Sequence, residues 1–260
     1  MQTVDKAFKL LKFFSITHPE IGLSELARLA QFDKAATRRF LVALQNHQFI
    51  EQNPETKAYR LGTGFLSFAK IREEMFPLQE IVQQSLERLT EITSETSHGS
   101  IISGESLTSV GVSLSMRSNR VHIHTSEKLP LNATASGLAY LAFAPEMPAT
   151  MQKDNLPSFT KKTITNPDHL LQMISQVKET GYSIVRGGFE EDVTGIAVPI
   201  FSSDGFAMGT LAVASPSARM NDELIGSICH ALFIETCEVT KALGGITPTH
   251  YEQLIAVANL

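Results

Sequence analysis

Hydrophobic positions recur at helical spacing from the start of the chain. In "VDKAFKLLKFFSI", Val4, Ala7, Phe8, Leu11 and Phe14 share one face while the lysines point outward, which predicts an amphipathic helix. "THPEIG" interrupts the pattern. "LSELARLA" resumes it, with Ser24 read as the N-cap and Leu26, Ala27 and Ala30 as the buried face. Only Gln31 to Asp33 separate this segment from the next helix, in "FDKAATRRFLVALQNHQFI". On a helical wheel centred on Ala36, residues Phe40, Ala43 and Leu44 fall within roughly 80°. Lys34, Arg38 and Gln45 lie opposite, and Arg39 sits on the flank. Asp33 is the expected N-cap, because its carboxylate can accept a free N–H of the first turn. The helix therefore buries one face and presents cations near its start.

A single basic helix face is most often only solvated. The neighbouring elements change that balance. Two short helices joined so tightly, the second cationic, match a helix-turn-helix. Phe49 and Ile50 then read as a strand, Asn53 to Thr56 as a turn, and Ala58 to Leu61 as a second strand. The result is a winged helix whose hairpin carries Lys57 and Arg60 toward phosphates. The expected DNA-facing residues are Ser24, Lys34, Ala35, Ala36, Thr37, Arg38, Arg39, Lys57 and Arg60. Lys34 to Arg38 are expected in the major groove, and Arg39, Lys57 and Arg60 at the backbone.

Charge supports this reading. Residues 1–72 hold 11 Lys and Arg against 6 Asp and Glu, while the whole chain carries −5. A basic head therefore sits on a body of net −10, and phosphate binding needs only the local surplus.

The 260 residues suffice for two domains. "GFLSFAKIREEMF" reads as a linking helix that Pro77 ends. A long helix, "LQEIVQQSLERLTEIT", follows. "GSIISGE" and "LTSVGVSLSM" are expected strands around a turn at Glu105-Ser106, and "RVHIH" a shorter one. "ATASGLAYLAFA" reads as an apolar helix. "NPDHLLQMISQVKETG" reads as an amphipathic one, with Pro167 in its first turn and Gly181 at its stop. "YSIV" is a strand, and "TGIAVPIF" and "FAMGTLAVAS" form a hairpin through "SSDG". A final helix is expected from Asn221 to Leu243. Antiparallel strands bracketed by helices predict an α+β fold. The expected domains are 1–63, a linker at 64–76, a second domain at 77–244 and a tail at 245–260. No assignment is made for that tail, "GITPTHYEQLIAVANL", beyond a short helix on the body or on a partner.

Several segments resemble the IclR family of bacterial transcription regulators, from Val4 to about Gly244. "AFKLLKFF", "LSELARLAQFDKAATRRFLVALQNHQFIE" and "YRLG" are similar to its winged helix. "LPLNATASGLAYLAF", "ETGYSIVRGGFEEDVTGIAVPIFSSDG" and "LAVASPSAR" resemble its effector domain. The resemblance implies a GAF-like antiparallel-sheet domain that binds an effector. It also implies a homodimer joined partly through the N-terminal domains, or a dimer of dimers, on a double-stranded DNA operator. Repression is the expected sign of regulation.

Physical chemistry singles out "NATASGLA". A helix starting at Ala135 or Ser136, with Thr134 as cap, leaves N–H groups and the positive helix end for an anion. Taken alone, that is also an ordinary N-cap. The resemblance places Ala135 and Ser136 in an effector pocket, together with Val121, Leu129, Val185, Val193, Gly195, Ala212 and Ala214. Some relatives carry hydroxyls at the last two positions, and an acid and a cysteine at those of Val185 and Gly195. These are apolar or small here, so a short acid or carbonyl compound is expected rather than a sugar acid.

Other chemistry is weakly signalled. His122 and His124 alternate on an expected strand, but no acid or cysteine completes a metal set. Glu190, Glu191 and Asp192 read as solvated acids in a glycine-rich loop. No GxSxG, P-loop or GxGxxG is present. No catalytic residue, cofactor or metal is therefore assigned. An enzyme built on the second domain and a winged helix for protein or RNA are the competing classes. Cys229 and Cys237 are eight residues apart, about 12 Å along one helix, and cannot pair within it. Reduced thiols, the absence of a membrane-spanning run and the absence of a leader's apolar core predict a cytoplasmic protein without a membrane partner.

Overall fold

A computed structural model of the chain describes residues 2–15, 17–75, 77–124, 128–153 and 155–258. Met1, Phe76 of the expected linker, and Asn259 and Leu260 of the tail lie outside the described residues. The chain divides into two compact units between Pro77 and Leu78.

The first unit contains helices α1 (Gln2–Leu11), α2 (Leu23–Ala30) and α3 (Lys34–Asn46), a hairpin of β1 (Ile50–Gln52) and β2 (Tyr59–Leu61), and helix α4 (Gly64–Met75). Its core is Leu10, Ile21, Leu26, Ala30, Leu41, Leu44, Ile50 and Tyr59. Three local expectations need correction. In α1 the buried residue is Leu10, with Ala7 and Leu11 beside it, whereas Val4 and Phe8 are exposed. The helix ends at Leu11, so Phe14 reaches the core from the following loop. The N-cap of α2 is Gly22, not Ser24, which is the second helical residue and exposed. The third correction concerns α3, whose buried stripe is Thr37, Leu41 and Leu44. Phe40 is half-buried and Ala43 exposed, so the inward face is turned by one residue, about 100°, from the wheel centred on Ala36.

Ile21 also joins the wing. Its N–H and C=O exchange hydrogen bonds with those of Tyr59, both at 2.9 Å, which attaches the loop before α2 to β2. Helix α4 packs through Phe65 and Phe68 on the ring of Phe49, with centroids 4.8 and 5.7 Å away.

The second unit opens with α5 (Leu78–Thr93) and contains β3 (Thr96–Ser103), β4 (Ser106–Ser113), β5 (Lys128–Leu129), α6 (Ala135–Phe143), α7 (Pro167–Thr180), β6 (Ser183–Arg186), β7 (Val193–Phe201), β8 (Ala207–Pro216), α8 (Asp222–Ala242) and α9 (Thr249–Ala258). The strands form one sheet in the order β5-β4-β3-β8-β7-β6, antiparallel throughout. Alternation along the strands separates two faces. Ile196, Val198, Ile200, Leu211 and Val213 pack with α5 and α8. Ala197 and Ala212 point to the other side and meet Ala135 and Ala139 of α6. Small residues there let α6 lie close to the sheet. On its other side, a Cβ at Gly137 would stand 2.2 Å from the carbonyl oxygen of Leu131, so only glycine permits that approach.

Two ion pairs with buried carboxylates and partly exposed guanidinium groups clamp this unit. Arg88 on α5 forks onto Glu235 of α8 at 2.8 and 2.7 Å. Arg219 forks onto Glu95, at the head of β3, at 2.7 and 2.7 Å. The α+β architecture is the one expected, with one change: "RVHIH" is irregular, and β4 pairs instead with the short β5. Alternation along a strand therefore does not apply to His122 and His124. The tail is not an appendage. Tyr251 of α9 is fully buried against Phe143, Phe201 and Phe233.

Candidate nucleic-acid interface and ligand cavity

The helix-turn-helix is built by local bonds. Gln31 takes the left-handed conformation at the end of α2, and the Phe32 N–H returns to the Ala27 carbonyl at 3.0 Å. Asp33 then caps α3, accepting from the Ala36 N–H at 2.7 Å. Lys34, Ala35, Arg38 and Arg39 are exposed on the first two turns of α3, and they line a shallow groove with Leu23 and Val42. Among the described residues no carboxylate lies within ion-pair range of Lys34, Arg38 or Arg39.

Two expected contacts do not fit this geometry. Thr37 is fully buried, and its hydroxyl donates to the Asp33 carbonyl at 2.9 Å. It belongs to the core and cannot reach a base. Arg60 is held by acids: its Nε and Nη2 donate to Glu51 at 3.3 Å, and Nη1 lies 3.6 Å from Glu20. Glu51 and Glu20 thereby offset part of its charge, whereas Lys57 stands exposed at the turn with φ +58°. Asn53 organises that turn by accepting from the Glu55 and Thr56 N–H groups at 2.9 and 3.2 Å.

The second unit encloses a cavity of about 70 Å³ on the α6 side of the sheet. All nine expected positions line it: Val121, Leu129, Ala135, Ser136, Val185, Val193, Gly195, Ala212 and Ala214. Sheet register explains their convergence. His98, Ala212 and Ala197 stand side by side across β3, β8 and β7, and Thr96, Ala214 and Gly195 form the next row. Thr96 donates to the Val121 carbonyl at 2.9 Å and so holds the 120–124 segment over the sheet. Ser183 donates to the Ala135 carbonyl at 2.6 Å. On the far wall, Thr160 and Thr163 each donate to a carbonyl of the Gly187-Gly188 loop at 2.6 Å, which brings Phe189 and Glu190 to the cavity.

Thr134 is the N-cap of α6 and accepts from the Gly137 N–H at 2.9 Å. The next two N–H groups, of Ala135 and Ser136, have no backbone partner among the described residues. The polar side chain that sequence reasoning missed is His98. It is 7% exposed; its Nε2 lies 3.3 Å from Ser136 Oγ, and its buried Nδ1 has no partner among the described residues. Burial pushes its pKa down to about 4. The available signal was strand alternation from Thr96, three residues before the strand was expected to begin.

Cys229 and Cys237 are free, and burial raises the Cys229 thiol to about 12, which disfavours the reactive thiolate. Among the described residues no group of three or more His, Cys, Asp or Glu could hold a metal, and no helix is long and apolar enough to cross a membrane.

A helix-turn-helix with a wing and a cationic helix face, followed by an antiparallel-sheet domain with a cavity, is the architecture of a winged-helix DNA-binding protein with a second domain. Comparison with known proteins narrows the class. Residues 3–54 match the IclR helix-turn-helix domain and residues 74–236 match the bacterial transcriptional regulator IclR C-terminal domain. The chain belongs to the IclR family of bacterial transcriptional regulators. It is similar to the crystal structure of an IclR transcriptional regulator from Silicibacter sp. TM1040, with 37% identity, a TM-score of 0.90, and coverage of 95% of this chain and 98% of that one. It is 24% identical to the transcriptional repressor IclR of Escherichia coli strain K12 over 95% of this chain and 91% of that protein. An IclR homologue from Microbacterium hydrocarbonoxydans, solved with 4-hydroxybenzoate, shares the fold at 20% identity and a TM-score of 0.76, covering 93% and 98% of the two chains.

Proposed function

We propose that this regulator is a sequence-specific repressor whose affinity for its operator is set by a small organic acid or related carbonyl compound bound in the cavity of the second unit. The carrying observation is the unpaired cationic face of α3, which can approach an anionic duplex without first breaking ion pairs. Lys34, Ala35, Ala36 and Arg38 meet base edges in the major groove, and Arg39 and Lys57 hold phosphates; Ser24, at the start of α2, is a further backbone contact. A homodimer or dimer of dimers reads a pseudo-palindromic site, because a single α3 covers only a short half-site. The effector acts by binding two arrangements of the protein unequally, typically by about 1–3 kcal/mol. The repressor and the 4-hydroxybenzoate-bound homologue among its relatives support the sign and the kind of ligand. The class of regulator favours this over an enzyme on the same body.

The test begins with selection of bound genomic fragments to find the operator. Arg38→Ala and Arg39→Ala are then compared on operator and random duplex at fixed salt. Arg38→Ala is expected to lose base discrimination of roughly 1–3 kcal/mol, and Arg39→Ala to weaken both duplexes alike. Unchanged binding by both variants overturns the interface.

A further inference from the structure

One group in the cavity is left chemically incomplete by its walls. His98 is buried, faces α6, and uses only one ring nitrogen, toward Ser136 at 3.3 Å. Its Nδ1 has no partner among the described residues. Beside it, α6 presents the Ala135 and Ser136 N–H groups. These donors share a cavity whose other walls are mostly small or apolar, including Val121, Val185, Ala212 and Ala214. Among the described residues no lysine or arginine lines it. A buried anion without a counter-charge is strongly disfavoured, and a helix end supplies only a partial charge. His98 is a lining group that can become a cation, and its Nε2 already stands 3.3 Å from Ser136 Oγ in the first turn of α6.

We propose that the cavity binds a small monocarboxylate together with one proton, and that His98 carries that proton. The imidazolium donates through Nδ1–H to one carboxylate oxygen and through Nε2–H to Ser136 Oγ. The other carboxylate oxygen accepts from the first turn of α6. One carboxylate and one proton enter for each neutral His98, an N–H bond forms, and nothing is oxidised or cleaved. The proposal rests on the reading of this cavity as the ligand site.

The direction of coupling follows from the surroundings. Burial holds the free imidazole near 4, so it is neutral at ordinary pH, and an adjacent carboxylate raises it. Among the described residues, His122 and Glu190 are the other titratable side chains lining the cavity. Strands β4, β7 and β8 contribute no titratable group. Tyr140, one turn beyond Ser136 on α6, has its hydroxyl pushed further up by burial and stays neutral. Between the free and the liganded pKa of His98, binding takes up a proton, so affinity falls as pH rises, approaching tenfold per pH unit. The regulator would then respond to acidity and metabolite jointly.

The full chain, with labelled histidine and alanine, is titrated with acetate, propionate and lactate and with their primary amides between about pH 5 and pH 8. Ring nitrogen shifts of His98, methyl shifts of Ala212 and Ala214, and calorimetry in buffers of different ionisation enthalpy are read together. The expected result is that a carboxylate, not its amide, moves both methyls, converts His98 to imidazolium and takes up close to one proton. His98→Gln is expected to lose at least tenfold in affinity and to lose the pH slope. Binding in the cavity with His98 neutral and no proton uptake overturns the coupling and leaves the ligand site standing. If no carboxylate moves the methyls at millimolar saturation, the carboxylate site itself is overturned.

Discussion

The hydroxyl of Tyr251 donates to the carbonyl of Gly181 at 2.7 Å. The bond joins α9, near the end of the chain, to the left-handed stop of α7, where Gly181 has φ +81°. A side chain at Gly181 would meet the Phe233 and Tyr251 rings at 3.2 and 3.3 Å, so the glycine serves both the turn and the packing. Tyr251→Phe keeps the rings and strands a buried carbonyl, for an expected loss of about 1–3 kcal/mol. Tyr251→Ala also opens a cavity among Phe143, Phe201 and Phe233 and is expected to cost roughly 3–5 kcal/mol. Urea unfolding of the full chain checks both. Wild-type stability in Tyr251→Ala would show α9 to be dispensable to the core.

Thr37 separates packing from recognition on α3. Its side chain is sealed in the core, one residue before the exposed Arg38. Thr37→Val preserves shape and removes one hydrogen bond to Asp33, so a loss of about 1 kcal/mol is expected. Base preference should not change. Binding to a set of singly substituted operators checks this, and an altered preference would place Thr37 at the DNA.

The wing contains a built-in restraint on its own charge. Glu51 accepts from Arg60 and, through its other oxygen, from the Thr63 N–H at 3.1 Å. Glu51→Gln keeps an acceptor for Thr63 and releases the Arg60 charge. Duplex affinity is expected to rise a few-fold, with a salt dependence steeper by about one counterion. The pair is exposed, so stability should change by less than about 1 kcal/mol. Arg60→Ala should weaken binding less than Lys57→Ala, because Glu51 and Glu20 already offset part of the Arg60 charge. Salt titrations of the variants decide the order.

The chain's local signals carried the elements. Helical spacing marked α1, α2 and α3, Asn53 and Gly205 marked turns, and Gly181 marked a helix stop, because each depends on residues a few positions apart. The phase of α3 was less legible. Ala36, Phe40 and Ala43 form one stripe, while Thr37, Leu41 and Leu44 form another one residue on. A wheel cannot choose between apolar stripes so close, and the hydroxyl of Thr37 argued for the wrong one. The choice falls to Leu26 and Ile50, which meet Leu41 and Leu44 in the core.

The nine cavity positions came from resemblance rather than from periodicity, and the structure brings all nine to one cavity. Sequence alone established a basic winged helix and an α+β second unit, since period-two and period-3.6 patterns are properties of neighbours. Only tertiary structure decided that His98 stands beside Ser136, that Glu51 and Glu20 hold Arg60, and that Tyr251 closes the core. Those relationships join residues far apart in the chain, and pairing of β3 with β8, not any local preference, sets which side chains share a wall.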